Sequence, residues 1–415
     1  MPLSEISGFR LPEIKMTNRL ISLLGILTIL GVAFLLSRDR KAIRGRIVAW
    51  GLGLQLLVAL FVLRTQLGYG LLDKASKGMV WFLSFSFEGS KFVFGPFGDQ
   101  KGPFGLILAF QALPIIIFVA CFFSILYYLR VLPMLVLLMG KLMFRLMGTS
   151  GAESLEVAAS IFMGQTEAPL VIRPYLDELT DSELMTIMTA GMAHIAGSVF
   201  GAYVLFGAEP RHLLTAVVMT APGTILISKL LVPETGKPKT AGRVDLVLEK
   251  RAVNILDAAS RGVIDGLFLA LNVAAMLIAF VALIYFANGV LKVAHTDLQT
   301  SLGYLLAPVA WILGVPWQDA KTVGYLMGTK VVLNEFVAFS ILGPLKGHIA
   351  ERSFTIATYA LCGFANFASI GIQIGGIGAL APSRKQDLAR LGFRAVLAGT
   401  MANYLSAAIA GLMLA

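Results

Sequence analysis

Two carboxylates stand inside strongly apolar sequence, each with an amide beside it: Glu167 two residues after Gln165, and Glu335 directly after Asn334. Asn366 and Ser369 form a further polar pair in another apolar run, three residues apart and so expected on one helical face. An ionisable residue at membrane depth costs about 2.5–3.5 kcal/mol on insertion scales, so such residues mark function by default. Polar residues also glue membrane helices together, but glue rarely needs carboxylates. Carboxylate, amide and hydroxyl groups together suit a small polyhydroxylated or heteroaromatic ligand, which both donates and accepts hydrogen bonds. A membrane-embedded enzyme fits less well, because the sequence has no His-Glu-x-x-His, no Gly-x-Ser-x-Gly and no paired aspartates in spans.

The elements that hold these residues are membrane helices. Of 415 residues, 57% are hydrophobic and 14% charged, against about 45–50% and about 25% in soluble domains. With a mean hydropathy of +0.81, the chain is no soluble enzyme, disordered scaffold or fibre. Cys121 and Cys362 lie in apolar runs, so neither a disulfide framework nor a cysteine metal site is expected. The net charge of +10 falls between apolar stretches, which makes it a topology signal and not the footprint of a nucleic-acid partner.

A hydrocarbon core of about 30 Å needs about 20 apolar residues per helix. Eight stretches qualify: 20–36, 47–63, 104–129, 185–206, 213–231, 262–286, 355–377 and 396–414. The basic block Arg38, Arg40, Lys41, Arg44 and Arg46 sets the cytoplasmic side by the positive-inside rule. Counting spans from there also puts Lys237, Lys239, Arg243, Lys250 and Arg251 inside, with Arg384, Lys385, Arg390 and Arg394. Both termini then lie outside a multi-pass protein of the plasma membrane (the inner membrane in a Gram-negative cell).

Four segments remain. Residues 131–147 and 302–315 have the look of helices lying along the interface. Residues 151–179 and 319–345 are apolar but interrupted by polar groups, and neither makes a good span. Re-entrant hairpins explain both, since polar backbone at membrane depth is tolerated only where protein or a cavity buries it. The order span, interfacial helix, hairpin, span, span occurs over 104–231 and again, inverted, over 262–414. A short echo supports the repeat: Gly191-Met192-Ala193-His194-Ile195-Ala196 against Gly363-Phe364-Ala365-Asn366-Phe367-Ala368. Inverted repeats with interrupted segments belong to secondary transporters, whose site lies where those segments meet; a channel would need rings of repeated pore-lining groups. The segment 68–103 is expected to form an external amphipathic helix, and His212, His295 and His348 to fall in external loops.

Gly164-Gln165-Thr166-Glu167-Ala168-Pro169-Leu170 with Arg173-Pro174-Tyr175 resembles the first-hairpin signature of the concentrative nucleoside transporters of bacterial type. Asn334-Glu335-Phe336-Val337-Ala338 resembles that family's second-hairpin motif, and Cys362 to Ile370 its seventh-span motif. The resemblance implies an all-α integral membrane fold: eight transmembrane helices, two re-entrant hairpins and interfacial helices in an inverted repeat, working as an elevator in a homotrimer. It implies scaffold regions at 1–103, 104–150 and 262–316, and transport-domain halves at 151–261 and 317–415. By matching position, Gln165, Thr166 and Glu167 would address the nucleobase. Glu335, Asn366 and Ser369 would hold the ribose hydroxyls, with Val199 and Phe364 lining the site. No cofactor is implied beyond a coupling ion, H+ or Na+, and the partners are the nucleoside and the lipid bilayer.

The ion site is where the chain departs from the family pattern. Sodium-coupled members have an asparagine five residues before the signature glutamine and a serine or threonine in the fourth span. Those positions read Ser160 and His194 here, with Met163 and Ile195 as their neighbours in the implied ion-coupling set. Sodium wants hard oxygen ligands, and an imidazole is a poor substitute. Its ordinary pKa near 6.5 suits a proton carrier instead. His194 also reads as a helix-packing residue, and sodium coupling through backbone carbonyls and Ser160 stays open.

Overall fold

The computed structural model describes residues 11–99, 102–104, 107–243 and 252–414, so Lys250 and Arg251 lie outside the described residues. The described residues are almost entirely helical, with only an isolated bridge between Lys346 and Ile349. Helices α1 (Leu11–Leu35), α2 (Gly45–Arg64) and α3 (Gln66–Phe94) come first. The expected helix of segment 68–103 is α3, which starts at a Thr65 cap.

The repeat unit follows twice. Its first copy is α4 (Leu108–Gln111) and α5 (Leu113–Tyr128), α6 (Val131–Met147), a hairpin, α8 (Asp181–Ala193) with α9 (Gly197–Leu205), and α10 (Pro210–Leu231). The hairpin comprises α7 (Gly151–Ser160) and a 3-10 return, Ala168–Glu178. The second copy runs α11 (Ile255–Leu291), α12 (Leu298–Ile312), a hairpin of α13 (Trp317–Val332) and α14 (Glu335–Leu342), α15 (Glu351–Leu361) with α16 (Phe367–Leu380), and α17 (Lys385–Met413).

Among the described residues seven helical segments are long and apolar enough to cross a membrane, one of them α8 and α9 taken together, or eight if the pair α12 and α13, bent by 116°, counts as one. Two of the eight expected spans need correction. Residues 185–206 and 355–377 are not continuous helices, because each breaks at the internal echo, around His194 and around Gly363. Both halves of each are apolar, so hydropathy cannot register the break. The 262–286 span is longer than expected, since α11 is 37 residues and begins at Ile255 behind an Asn254 cap.

Hairpin α7 is fixed at its start by charge. Ser150 and Glu153 close a capping box on α7, and Thr180 and Glu183 close another on α8. Ser150 Oγ donates to Glu183 Oε1 at 2.5 Å, tying the two starts together. Lys229, near the end of α10, sits 2.6 Å from Glu153 and 3.5 Å from Glu234, all of them nearly fully buried. At the other end, Arg352 donates to Gly314 O, Gly411 O and Asn18 O, joining α15, α17 and α1. His212 lies in the first turn of α10 and is buried, 6.0 Å from the Tyr359 ring, and so is not in a loop.

Removing one member of a buried ion pair leaves the other charge without compensation, at a cost of about 3–5 kcal/mol. Lys229→Met should therefore lower the melting temperature in detergent sharply, and Lys229→Met with Glu153→Gln should recover much of it. An unchanged melting temperature for the single variant would mean that apolar packing alone holds the hairpin.

Candidate functional site

Each break leaves backbone groups that a continuous helix would have satisfied. Asn366 is extended (φ −143°, ψ 167°) and caps α16, its Oδ1 accepting from Ser369 N at 2.9 Å. This corrects the expectation that Asn366 and Ser369 share a helical face: one is the cap and the other lies in the first turn. Asn334 likewise caps α14, accepting from Val337 N at 2.9 Å, which sets Glu335 in that helix's first turn. The two breaks meet directly, Phe364 N donating to His194 O at 3.2 Å. The tip of the first hairpin docks on the same place, Gly197 N donating to Phe162 O at 3.0 Å.

A continuous chain of polar side chains spans the two hairpins. Tyr203 Oη donates to Glu335 Oε1 at 3.1 Å, and Asn366 Nδ2 donates to Glu335 Oε2 at 3.3 Å. Beyond the cap, Ser369 Oγ donates to Phe364 O at 2.6 Å and accepts from Gln165 Nε2 at 3.2 Å. Gln373 Nε2 then bridges Gln165 Oε1 (3.3 Å) and Met188 O (3.0 Å). Gln165, Glu335, Asn366 and Ser369 are all under 10% exposed. Their carboxylate, amides and hydroxyl present acceptors and donors on one wall, the set a diol with a heteroaromatic ring requires.

Tyr203 and Gln373 belong to this polar chain and are candidate site residues that the sequence reading missed. Gln373 stands one helical turn beyond Ser369, a spacing that carries the signal. Tyr203 carries none, being an aromatic in an apolar run.

The other expected residues sit around this chain. Val199 is buried one turn before Tyr203 on α9, and Phe364 is half-buried in the unwound segment. Thr166 packs against Gly376, where an added Cβ would come within 2.6 Å of its Cγ2. The Oε2 of Glu167 accepts from Gly164 N at 3.2 Å. With Met163 it borders a cavity of about 870 Å³ that reaches Tyr127, Arg130 and Arg261.

In the expected ion-coupling set, Ser160 Oγ donates to Oε1 of the fully buried Glu156 at 3.0 Å. Glu156, one turn earlier on α7, is a carboxylate that the sequence reading missed. The Nδ1 of His194 donates to Ala190 O at 3.0 Å, since a carbonyl only accepts, and its Nε2 meets no partner. Ile195 is buried beside it. Among the described residues no three His, Cys, Asp or Glu side chains gather as a metal site.

The chain matches the family model of the Na+ dependent nucleoside transporter N-terminus over residues 24–97 and that of its C-terminus over 212–411. Between them, 109–210 match a nucleoside-recognition gate model. The uncharacterized transporter YutK of Bacillus subtilis is 43% identical over 96% of this chain and 100% of its own length. The chain belongs to the Na+-dependent nucleoside transporter family. Sodium/nucleoside cotransporter 1 of Rattus norvegicus is 40% identical, and the chain spans 64% of that longer protein. The structure of CNTnw in an inward-facing substrate-bound state superposes with a TM-score of 0.91 at 40% identity, covering 96% of this chain and 98% of that one. A variant of CNTnw in an outward-facing state gives 0.90 at 40% identity, over 95% and 97%. The expected family and its elevator-type helical fold therefore hold, and the chain is a transporter, not an enzyme.

Tyr203 stacks on Phe339, centroids 4.6 Å apart, so its ring packs whether or not its hydroxyl matters. A hydrogen bond to a charged group is worth about 1.5–3 kcal/mol, roughly ten- to a hundredfold in affinity. Tyr203→Phe should weaken nucleoside binding by about that factor, measured calorimetrically, with the melting temperature little changed. Unaltered affinity would reduce Tyr203 to packing.

Proposed function

We propose that this transporter imports nucleosides by symport driven by an ion gradient, with the proton as the coupling ion. The single observation that carries the substrate reading is the buried chain from Tyr203 through Glu335, Asn366 and Ser369 to Gln165. In this reading the ribose hydroxyls pair with Glu335, Asn366 and Ser369, a carboxylate and an amide matching a diol, while Tyr203 keeps its hydrogen bond to Glu335 and orients the carboxylate. Gln165 faces the base, with Thr166 and Glu167 acting from the hairpin tip and Val199 and Phe364 forming apolar walls. A sugar without those hydroxyls leaves buried polar groups unpaired, at about 1–3 kcal/mol each.

Proton coupling is supported by Ser160, which stands where the sodium-coupled pattern has an asparagine and lies beside the buried Glu156, and by the unpartnered Nε2 of His194. Sodium coupling is the second reading, favoured by the family's description and by relatives named as sodium cotransporters. The scaffold of 1–103, 104–150 and 262–316 stays fixed in a homotrimer in the plasma membrane, both termini outside. The halves 151–261 and 317–415 move together as the transport domain.

Uridine and adenosine uptake into proteoliposomes, under a proton gradient and a sodium gradient imposed separately, tests this. Uptake driven by protons alone is expected. Glu335→Gln should abolish uptake in protein that stays folded, and His194→Ala should cut accumulation while nucleoside exchange persists. Uptake driven only by sodium would return His194 to packing, and full uptake by Glu335→Gln would remove that residue from the ribose site.

A further inference from the structure

Lys330 is wholly buried in the last turn of α13, five residues before Glu335. Among the described residues it meets no carboxylate at ion-pair distance; instead its Nζ donates to Ala360 O at 2.9 Å and to Asn403 Oδ1 at 2.6 Å. The orientation of the Asn403 amide is forced. Its Nδ2 faces Ala193 O at 2.7 Å and Cys362 O at 2.9 Å, and both can only accept.

Ala193 is the last residue of α8, while Ala360 and Cys362 belong to the last turn and cap of α15. One ammonium and one amide thus hold three carbonyls at the C-terminal ends of both broken helices. A helix C-terminus carries roughly half a negative charge. Two of them together present about one unit of negative charge, which a single ammonium balances. Gly363 lies against this junction: a Cβ there would collide with Asn403 Oδ1 and Ala193 O.

Transporters with discontinuous helices recruit dissociable cations to such half-helix ends. We propose that Lys330, relayed by Asn403, is a resident cation. Its tethered ammonium occupies the C-terminal poles of both broken helices and so positions Glu335 and Asn366 for the nucleoside. The proposal rests on the reading of that site given above. Lys330 touches no substrate in it and is a positioning residue, and the ion that is exchanged during transport binds elsewhere.

The test is calorimetric binding of uridine and adenosine to purified wild type, Lys330→Met and Lys330→Ala, each with its melting temperature. Both variants should remain folded and bind about tenfold more weakly or worse, the loss expected when charge-assisted hydrogen bonds at the site's support are removed. Excess n-propylammonium, which fits the space a truncated side chain leaves, should restore binding to Lys330→Ala. It should do nothing for wild type or for the space-filling Lys330→Met, and n-propanol should restore neither. Binding by Lys330→Met within about twofold of wild type, or equal rescue by n-propanol, would overturn the proposal, because packing alone would then suffice. Variants recovered only as aggregate would assign Lys330 to folding and overturn it too. Wild type that binds neither nucleoside fails the substrate reading itself, a result separable from loss confined to the variants.

Discussion

Hydrocarbon offers no hydrogen bonds, so every backbone group freed by breaking a membrane helix must find a protein partner. That constraint organises this molecule more than any other. The first repeat breaks between Ala193 and Gly197, the second between Leu361 and Phe367, and the two hairpins add turns of their own. The N-terminal ends are met by asparagine caps, Asn334 on α14 and Asn366 on α16. Opposite them, the C-terminal ends are met from outside the break by Asn403 and Lys330. The groups of the proposed site and the capping groups are therefore largely the same residues. Asn366 uses its oxygen to start a helix and its nitrogen to reach Glu335, so the site cannot be altered there without disturbing the fold.

This double use explains why the site joins the two repeats so tightly. Gln165 comes from the first hairpin, Glu335 from the second, and α16 brings Asn366, Ser369 and Gln373 to a single wall between them. The hydrogen bond from Phe364 N to His194 O fastens one break to the other. A substrate held by this wall touches both halves at once, and moving it requires moving both as one body, which is how an elevator-type transporter carries its cargo.

Much of this was legible in the sequence, and what was not has physical reasons. The interfacial helix over 131–147 is found at its expected bounds, because its periodic apolar face and its glycine stop at Gly148 are local signals. The hairpins were legible from polar residues that no ordinary span tolerates. The six-residue echo marks both helix breaks, yet those breaks were read as continuous spans, since an unwound segment flanked by apolar halves keeps its hydropathy. Lys330 is a charge in the interrupted segment 319–345, and its purpose depends on packing that the sequence does not show. Its partner Asn403 is a lone amide on the far side of α17, and only packing brings it to Ala193 and Cys362. Glu156 was hidden the same way, its meaning depending on the Ser160 hydroxyl one turn ahead.

The crowding at the end of α8 also bears on which ion fits there. Ala190 O already accepts from both His194 N (3.2 Å) and His194 Nδ1 (3.0 Å). Ala193 O accepts from Asn403, and His194 O from Phe364. A sodium ion wants several hard oxygens at once, and here both lone pairs of Ala190 O are taken while Ala193 O and His194 O each accept one hydrogen bond. A proton needs a single lone pair, and His194 Nε2 offers one that no protein group uses. In the role proposed for Lys330, its charge balances the helix ends, so an exchangeable cation is not needed to stabilise the break and has only to report the gradient. On that reading a fixed charge serves structure and a mobile one serves coupling, and the fold does not need an asparagine at Ser160.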